Sequence, residues 1–218
     1  MKTRTLVLMG KSAKMNNFCT GGIDLETGEW IRLISEDPAI EEAVPPQDMR
    51  YKDGTLAQLF DVIKVVVSDK KANNAIQPEN IYYDNEYYWL KVGHMTLQEV
   101  IDKRGFDDPA KIFYNDERAV SAEEVKNFSV RESLLLLPVK NIEIEISTAW
   151  GYPKFYADFN YRGKRFFHFS VGDLEVRNQF KNRDDGKYSF KKSAAVVFSL
   201  TNPFHIDNKC YKMVAQVF

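Results

Sequence analysis

Apolar positions in this chain fall in short runs and alternations, the period of strands. TLVLMG (residues 5–10) is a short apolar run, and FCTGGIDL (18–25) reads as a second strand. Within it, Gly21-Gly22 predicts a bulge or a close backbone approach. ETGE (26–29) is a turn, and WIRLIS (30–35) returns as a strand with Trp30, Arg32 and Ile34 on one face and Ile31, Leu33 and Ser35 on the other. After the turn-rich loop VPPQDMRYKDG, LFDVIKVVVSDKK (59–71) predicts a long strand, and IYYDNEYYWLKVGHM (81–95) predicts two strands around Asp84-Asn85, or a strand and an extended arm.

The middle changes period. Thr96 with Glu99 forms a capping-box signal ahead of LQEVIDKR, and Gly105 stops that helix. DDPAKIFYN and SAEEVKNF predict further short helices, the second capped by Ser121. This acidic stretch, about residues 96 to 130, reads as a connector or insertion. Alternation then resumes. Ile142, Ile144 and Ile146 share a face, as do Phe155, Ala157, Phe159 and Tyr161. In KRFFHFSV the pattern puts Phe167, Phe169 and Val171 inward and Phe166 and His168 outward, after a tight turn at Arg162-Gly163-Lys164. RNQFKNRDDGKYSFKKS (177–193) reads as a polar stretch. AAVVFSL and CYKMVAQVF close the chain around the loop TNPFHIDN.

About five strands, a helical middle and about five strands suit a mainly β chain of two OB-like five-stranded barrels; one split sheet is the alternative. The expected domains are 1–95, a connector 96–137, and 138–218.

Charge sharpens the picture. From Trp150 onward there are 12 Lys+Arg against 6 Asp+Glu, or +6; the rest carries 18 against 25, or −7. A basic face for an anionic partner fits this split, and so do two solvated faces of opposite sign. The two cysteines make no disulfide framework, and both read as buried small hydrophobes of a reducing, cytoplasmic compartment. No run approaches the roughly 18 apolar residues of a membrane span.

Few constellations carry chemistry. As a nucleophile Cys19 would need His94, His168 or His205 as base, and nothing in the spacing brings them together. No metal-ligand spacing, glycine-rich phosphate loop or cofactor signature occurs. Asp107-Asp108 and Asp184-Asp185 sit in cap or turn contexts. Binding has more material. Trp30 and Arg32 share a face, and Lys11 and Lys14 enter the same hairpin. Tyr156, Phe166 and His168 alternate outward among Lys154, Arg162, Lys164 and Arg165. Rings among cations suit single-stranded nucleic acid, where bases stack and phosphates meet cations. Core packing of Phe166 and Trp30 is the competing reading.

CTGGIDLETGEWIRLIS (19–35), YRGKRFFHFSVGDLE (161–175), FSLTNPF (198–204) and CYKMVAQVF (210–218) together resemble the bacterial dual OB-fold domain family. The matching positions are Cys19, Gly22, Asp24, Gly28, Trp30, Arg32, Asp173, Ser199, Tyr211 and Lys212. Thr20-Gly21 and Gly172 depart from its pattern, an apolar-small pair and a Thr being expected there. The resemblance implies two OB barrels and no catalytic residues.

The leading expectation is a non-enzymatic binding module, without cofactor or metal, for single-stranded DNA or RNA or a nucleotide. Arg32 and Lys212 would meet phosphate, and Trp30 and Tyr211 would stack. A protein-interaction adaptor using the acidic middle is the second reading. An enzyme acting on a nucleotide or nucleic acid, with a cleft around Asp24, Arg32, Asp173 and Lys212, is the third. For Arg32 two answers fit: a ligand phosphate, or a buried pairing with an acid such as Asp24 or Asp173.

Overall fold

The computed structural model describes residues 2–129, 131–149 and 151–218; residue 130, read above as the end of the helical middle, lies outside them. In the first unit the long opening strand Lys2–Lys14 (β1) turns through Met15 and Asn16, both at positive φ, into Asn17–Asp24 (β2). A two-residue turn of that hand matches the twist of the strands it joins. Trp30–Ile34 (β3), Asp61–Lys71 (β4), Asn80–Tyr83 (β5) and Leu90–His94 (β6) follow. The strands pair in the order β1-β2-β3-β5-β4, and β4 pairs back onto β1. That closes a five-stranded ring, with β6 outside it on β4. Its core holds Leu6, Leu8, Ile31, Leu33, Ile63, Val65, Tyr83 and Trp89.

The second unit repeats the plan. Ala119–Ser121 (β7) precedes Leu134–Ala149 (β8), Tyr152–Tyr161 (β9), Lys164–Val171 (β10), Gly186–Leu200 (β11) and Lys209–Val217 (β12). The ring runs β8-β9-β10-β12-β11 and closes on β8, with β7 added to β12. Each ring contains one parallel pair, β3–β5 in the first and β10–β12 in the second. Both are therefore barrels of one topology. Ile142, Ile144, Ile146, Phe155, Ala157, Phe159 and Tyr161 face the second core, in line with their alternation.

The described helices are Leu97–Arg104 (α1), Ala122–Asn127 (α2) and Leu174–Phe180 (α3). Thr96 and Glu99 cap each other at the start of α1, and Ser121 caps α2. The chain divides into Met1–Asn74 with Pro78–Gly105, and Ala75–Gln77 with Phe106–Phe218. Residues 96–105 thus go with the first unit and 106–137 with the second.

Three expectations change. DDPAKIFYN is no helix beyond the single tight turn Ile112–Tyr114, where Phe113 sits at φ 45 and Ile112 and Phe113 enter the second core. The polar stretch 177–193 contains the end of α3 and the first part of β11, an arm paired with β8 from Gly186↔Ile146 onward. A bulge between Phe166 and Phe169 inverts the predicted facing of β10. One extra residue moves every earlier side chain to the opposite face. Phe166 is consequently buried against Phe159, and Phe167 is exposed.

Gly22 explains why the opening motif is rich in glycine. It lies opposite Leu8, beside a register shift between Leu8 and Gly10. A β-carbon there would stand 2.6 Å from the Val7 carbonyl oxygen and 2.3 Å from Leu6 Cδ1. Backbone cannot step aside, so Gly22→Ala is expected to destabilise the first barrel by about 3 kcal/mol through overpacking. A urea melt checks this; a loss below about 1 kcal/mol would mean that β1 and β2 separate easily.

Candidate functional site

In an OB barrel the second and third strands, with the loops joining strands 1–2 and 4–5, form the face that takes ligands. In the first unit that face is β2–β3, and its own residues fill it. Arg32 is 2% exposed. Its Nη2 lies 3.2 Å from Glu79 Oε1 and its Nη1 3.0 Å from Cys19 Sγ. Burial opposes the guanidinium charge, but Cys19 and Glu79 outweigh it and hold the pKa above the ordinary arginine value. Arg32 is therefore no exposed phosphate ligand. It is buried and paired, and the acid is Glu79, at the entry to β5, rather than Asp24 or Asp173. Trp30 is half-buried, with the Arg104 guanidinium 5.4 Å over its ring; the same arginine donates from Nε to the Gly28 carbonyl at 2.8 Å. Lys11 donates to the Ala57 carbonyl at 3.1 Å and lies over the Phe18 ring.

The family-motif acids are fasteners. Asp24 accepts the Glu26 and Thr27 backbone N–H groups, fixing the turn before Gly28, and meets Arg4 at 3.4 Å. Asp173 caps α3 by accepting from the Glu175 and Val176 N–H groups with Oδ1, and Oδ2 accepts from Gln216 Nε2 and the Val217 N–H. Burial pushes its carboxyl above the ordinary range against the pull of those donors. Of the four residues expected to share a cleft, Asp24 and Arg32 belong to the first unit and Asp173 and Lys212 to the second. Asp107 accepts the Leu136 N–H and Asp185 the Thr148 N–H, as turn and cap residues do.

Lys212 is also withdrawn from phosphate. It is buried, and its Nζ donates to the Asn115 backbone carbonyl at 2.6 Å and to Asn115 Oδ1 at 2.7 Å. Burial pushes its pKa down to about 7, against the pull of Asp116, Glu124 and Glu117. Ser199 and Cys210 are buried, and burial raises the Cys210 thiol to about 11. Tyr211 is half-buried and donates to Asp207 at 2.7 Å.

The corresponding face of the second unit, β9–β10, presents rings and charge to solvent. Tyr156 and His168 stack with centroids 3.7 Å apart and planes 13° apart. The bulge holds His168 at φ 61, and its backbone N–H donates to the buried Asp158 at 2.8 Å. Glu145 lies 3.5 Å from His168 Nδ1 and 3.2 Å from Lys187 Nζ, and Lys187 also reaches Asp158 at 2.7 Å. Around the pair, Tyr152, Lys154 and Phe167 are exposed, with Arg165 5.9 Å from the Phe167 ring centroid. The loop joining β11 to β12 exposes Phe204 and Ile206. Lys164 pairs with Asp116, and Arg165 with Glu143 and the Asn141 carbonyl. Of the expected rings, the fold keeps Tyr156 and His168 outside and replaces Phe166 by Phe167. Phe167 lay one residue away in sequence; only the bulge hid it.

Among the described residues no group of three His, Cys, Asp or Glu side chains is placed to hold a metal ion, and no helix is long and apolar enough to cross a membrane. A family model described as a dual OB-containing domain matches residues 4–217. No curated protein and no solved structure matches the chain.

Proposed function

The chain belongs to the dual OB-containing domain family, and from that premise we propose that it binds single-stranded nucleic acid, through the β9–β10 face of its second barrel. The observation that carries this reading is the solvent-facing Tyr156–His168 stack. A base extends such a stack without regard to its identity, because every base has a π-face. Lys154 on β9, Lys187, which shares Glu145 with His168, and Arg165 beside Phe167 are the candidate cations for the phosphates. Basic residues outnumber acids from residue 150 onward, and Asp158 and Asp173 among those acids are buried. The equivalent face of the first barrel holds the buried Arg32–Glu79 pair, with Arg104 over Trp30, and is given no nucleic acid in this reading.

Fluorescence anisotropy with single-stranded DNA and RNA of roughly 16 nucleotides, the upper end of one OB fold's site, tests the proposal. Affinity is expected to fall steeply with salt as phosphate contacts release counterions. Tyr156→Ala and Phe167→Ala are each expected to weaken binding by about tenfold, as loss of a ~1–3 kcal/mol stacking contact requires. Absence of binding to either oligonucleotide at low salt would sink the idea, and an affinity indifferent to salt would remove its phosphate part.

A further inference from the structure

A cavity lies in the first unit, on the side of the barrel formed by β4, β6 and the loop before β4. It is a cleft of about 770 Å³ whose walls include Arg50, Tyr51, Lys52, Trp89, Leu90 and Lys91. Its size lies within the range of small-molecule sites. The buried Asp61 also lines it, and its charge is already spoken for. It accepts from the Tyr51 hydroxyl at 2.7 Å and the Gln58 N–H at 3.0 Å, and it meets Lys91 at 2.5 Å and His94 Nδ1 at 3.4 Å. Burial pushes its carboxyl up, but these partners outweigh it and hold it below the ordinary range. The other lining acid, Asp53, accepts from the Thr55 N–H and hydroxyl.

Three cations therefore face a cleft whose two acids are already engaged. Arg50 commits one nitrogen to the Gly54 carbonyl and Lys91 one contact to Asp61, which leaves further donors on each. The opposite character is also present, since Leu90 is 58% exposed and Leu56 lines the same cleft. Trp89, another wall, is 1% exposed, and its indole N–H has no acceptor among the described residues.

We propose that this cleft binds a small organic phosphate of nucleotide size, the phosphate meeting Arg50, Lys52 and Lys91 and the ring lying on Leu56 and Leu90. The site is separate from the β9–β10 face, so the two readings stand or fall independently. Isothermal titration of the full chain at low salt with adenosine monophosphate, adenosine and inorganic phosphate tests it. The monophosphate is expected to bind more tightly than either fragment. Arg50→Ala is expected to weaken it about tenfold, the loss of one charge-assisted contact, and Leu90→Ser to weaken it less. Both residues are exposed, so both variants should fold. Lys154→Ala, on the second barrel, should leave this binding unchanged and weaken oligonucleotide binding. No heat with the monophosphate, or equal affinity in Arg50→Ala, would overturn the site. Inorganic phosphate binding as tightly as the monophosphate would overturn the nucleotide class.

Discussion

Arg32→Met is expected to destabilise the first barrel by about 3–5 kcal/mol, the cost of leaving a buried charge without its partner. The charge left behind is Glu79, whose side chain is 8% exposed. Arg32→Met combined with Glu79→Leu should recover most of the loss, because exchanging both members of a buried pair for apolar groups is near neutral. Urea melts of the two single variants and the double variant close the cycle. A loss below about 1 kcal/mol for Arg32→Met, or a double variant as unstable as the sum of the singles, would show that the pair does not set stability. Oligonucleotide affinity measured on Arg32→Met should be unchanged while the protein is folded, which separates the structural role from phosphate binding.

The second large effect is a pH dependence carried by Lys212. In the folded protein its pKa is about 7, against an ordinary value of 10.5. Between those limits the unfolded chain holds the proton and the folded chain does not. Unfolding free energy therefore rises with pH from about 7 and levels off near 10.5. The penalty is fully present below pH 7, where both states are charged. Across the window the gain is roughly 3–5 kcal/mol, at 1.36 kcal/mol per pKa unit. Cys210 and the tyrosines whose pKa values are raised act in the opposite direction at the alkaline end, but they are common to wild type and Lys212→Met. The difference between the two stability curves should thus isolate the lysine: Lys212→Met gains most, relative to wild type, at pH 6–7, and the curves converge toward pH 10. Parallel curves would mean that Lys212 stays charged inside the barrel.

Local patterns carried much of the fold. The hairpin around Thr27-Gly28, the long valine strand β4, the isoleucine alternation of β8 and the caps at Thr96 and Ser121 are all set by neighbours within a few residues, and these are visible in sequence. What was hidden depends on distance or on one extra residue. Arg32 meets an acid 47 positions away, a pairing that only closure of β3 onto β5 creates. Lys212 reads in sequence as a phosphate contact, and only the loop around Asn115 shows it buried and paired. The β10 bulge defeats strict alternation and exchanges Phe166 for Phe167. The cleft by β6 has no linear signature, since its walls come from two stretches on either side of β4.

One small segment bears on how the protein can be divided. Ala75–Gln77 lies, in sequence, inside the first barrel, between β4 and β5, yet it belongs to the second unit. Ile76 joins that unit's core, and Gln77 donates from Nε2 to the Leu200 carbonyl at 2.8 Å. The two barrels are therefore interleaved along the chain, and a cut at Gly105 yields no whole second half: it strips away an apolar plug and a hydrogen-bonded clasp. An insertion in the loop between β4 and β5, a place where surface loops ordinarily tolerate extra residues, would here strike both units at once.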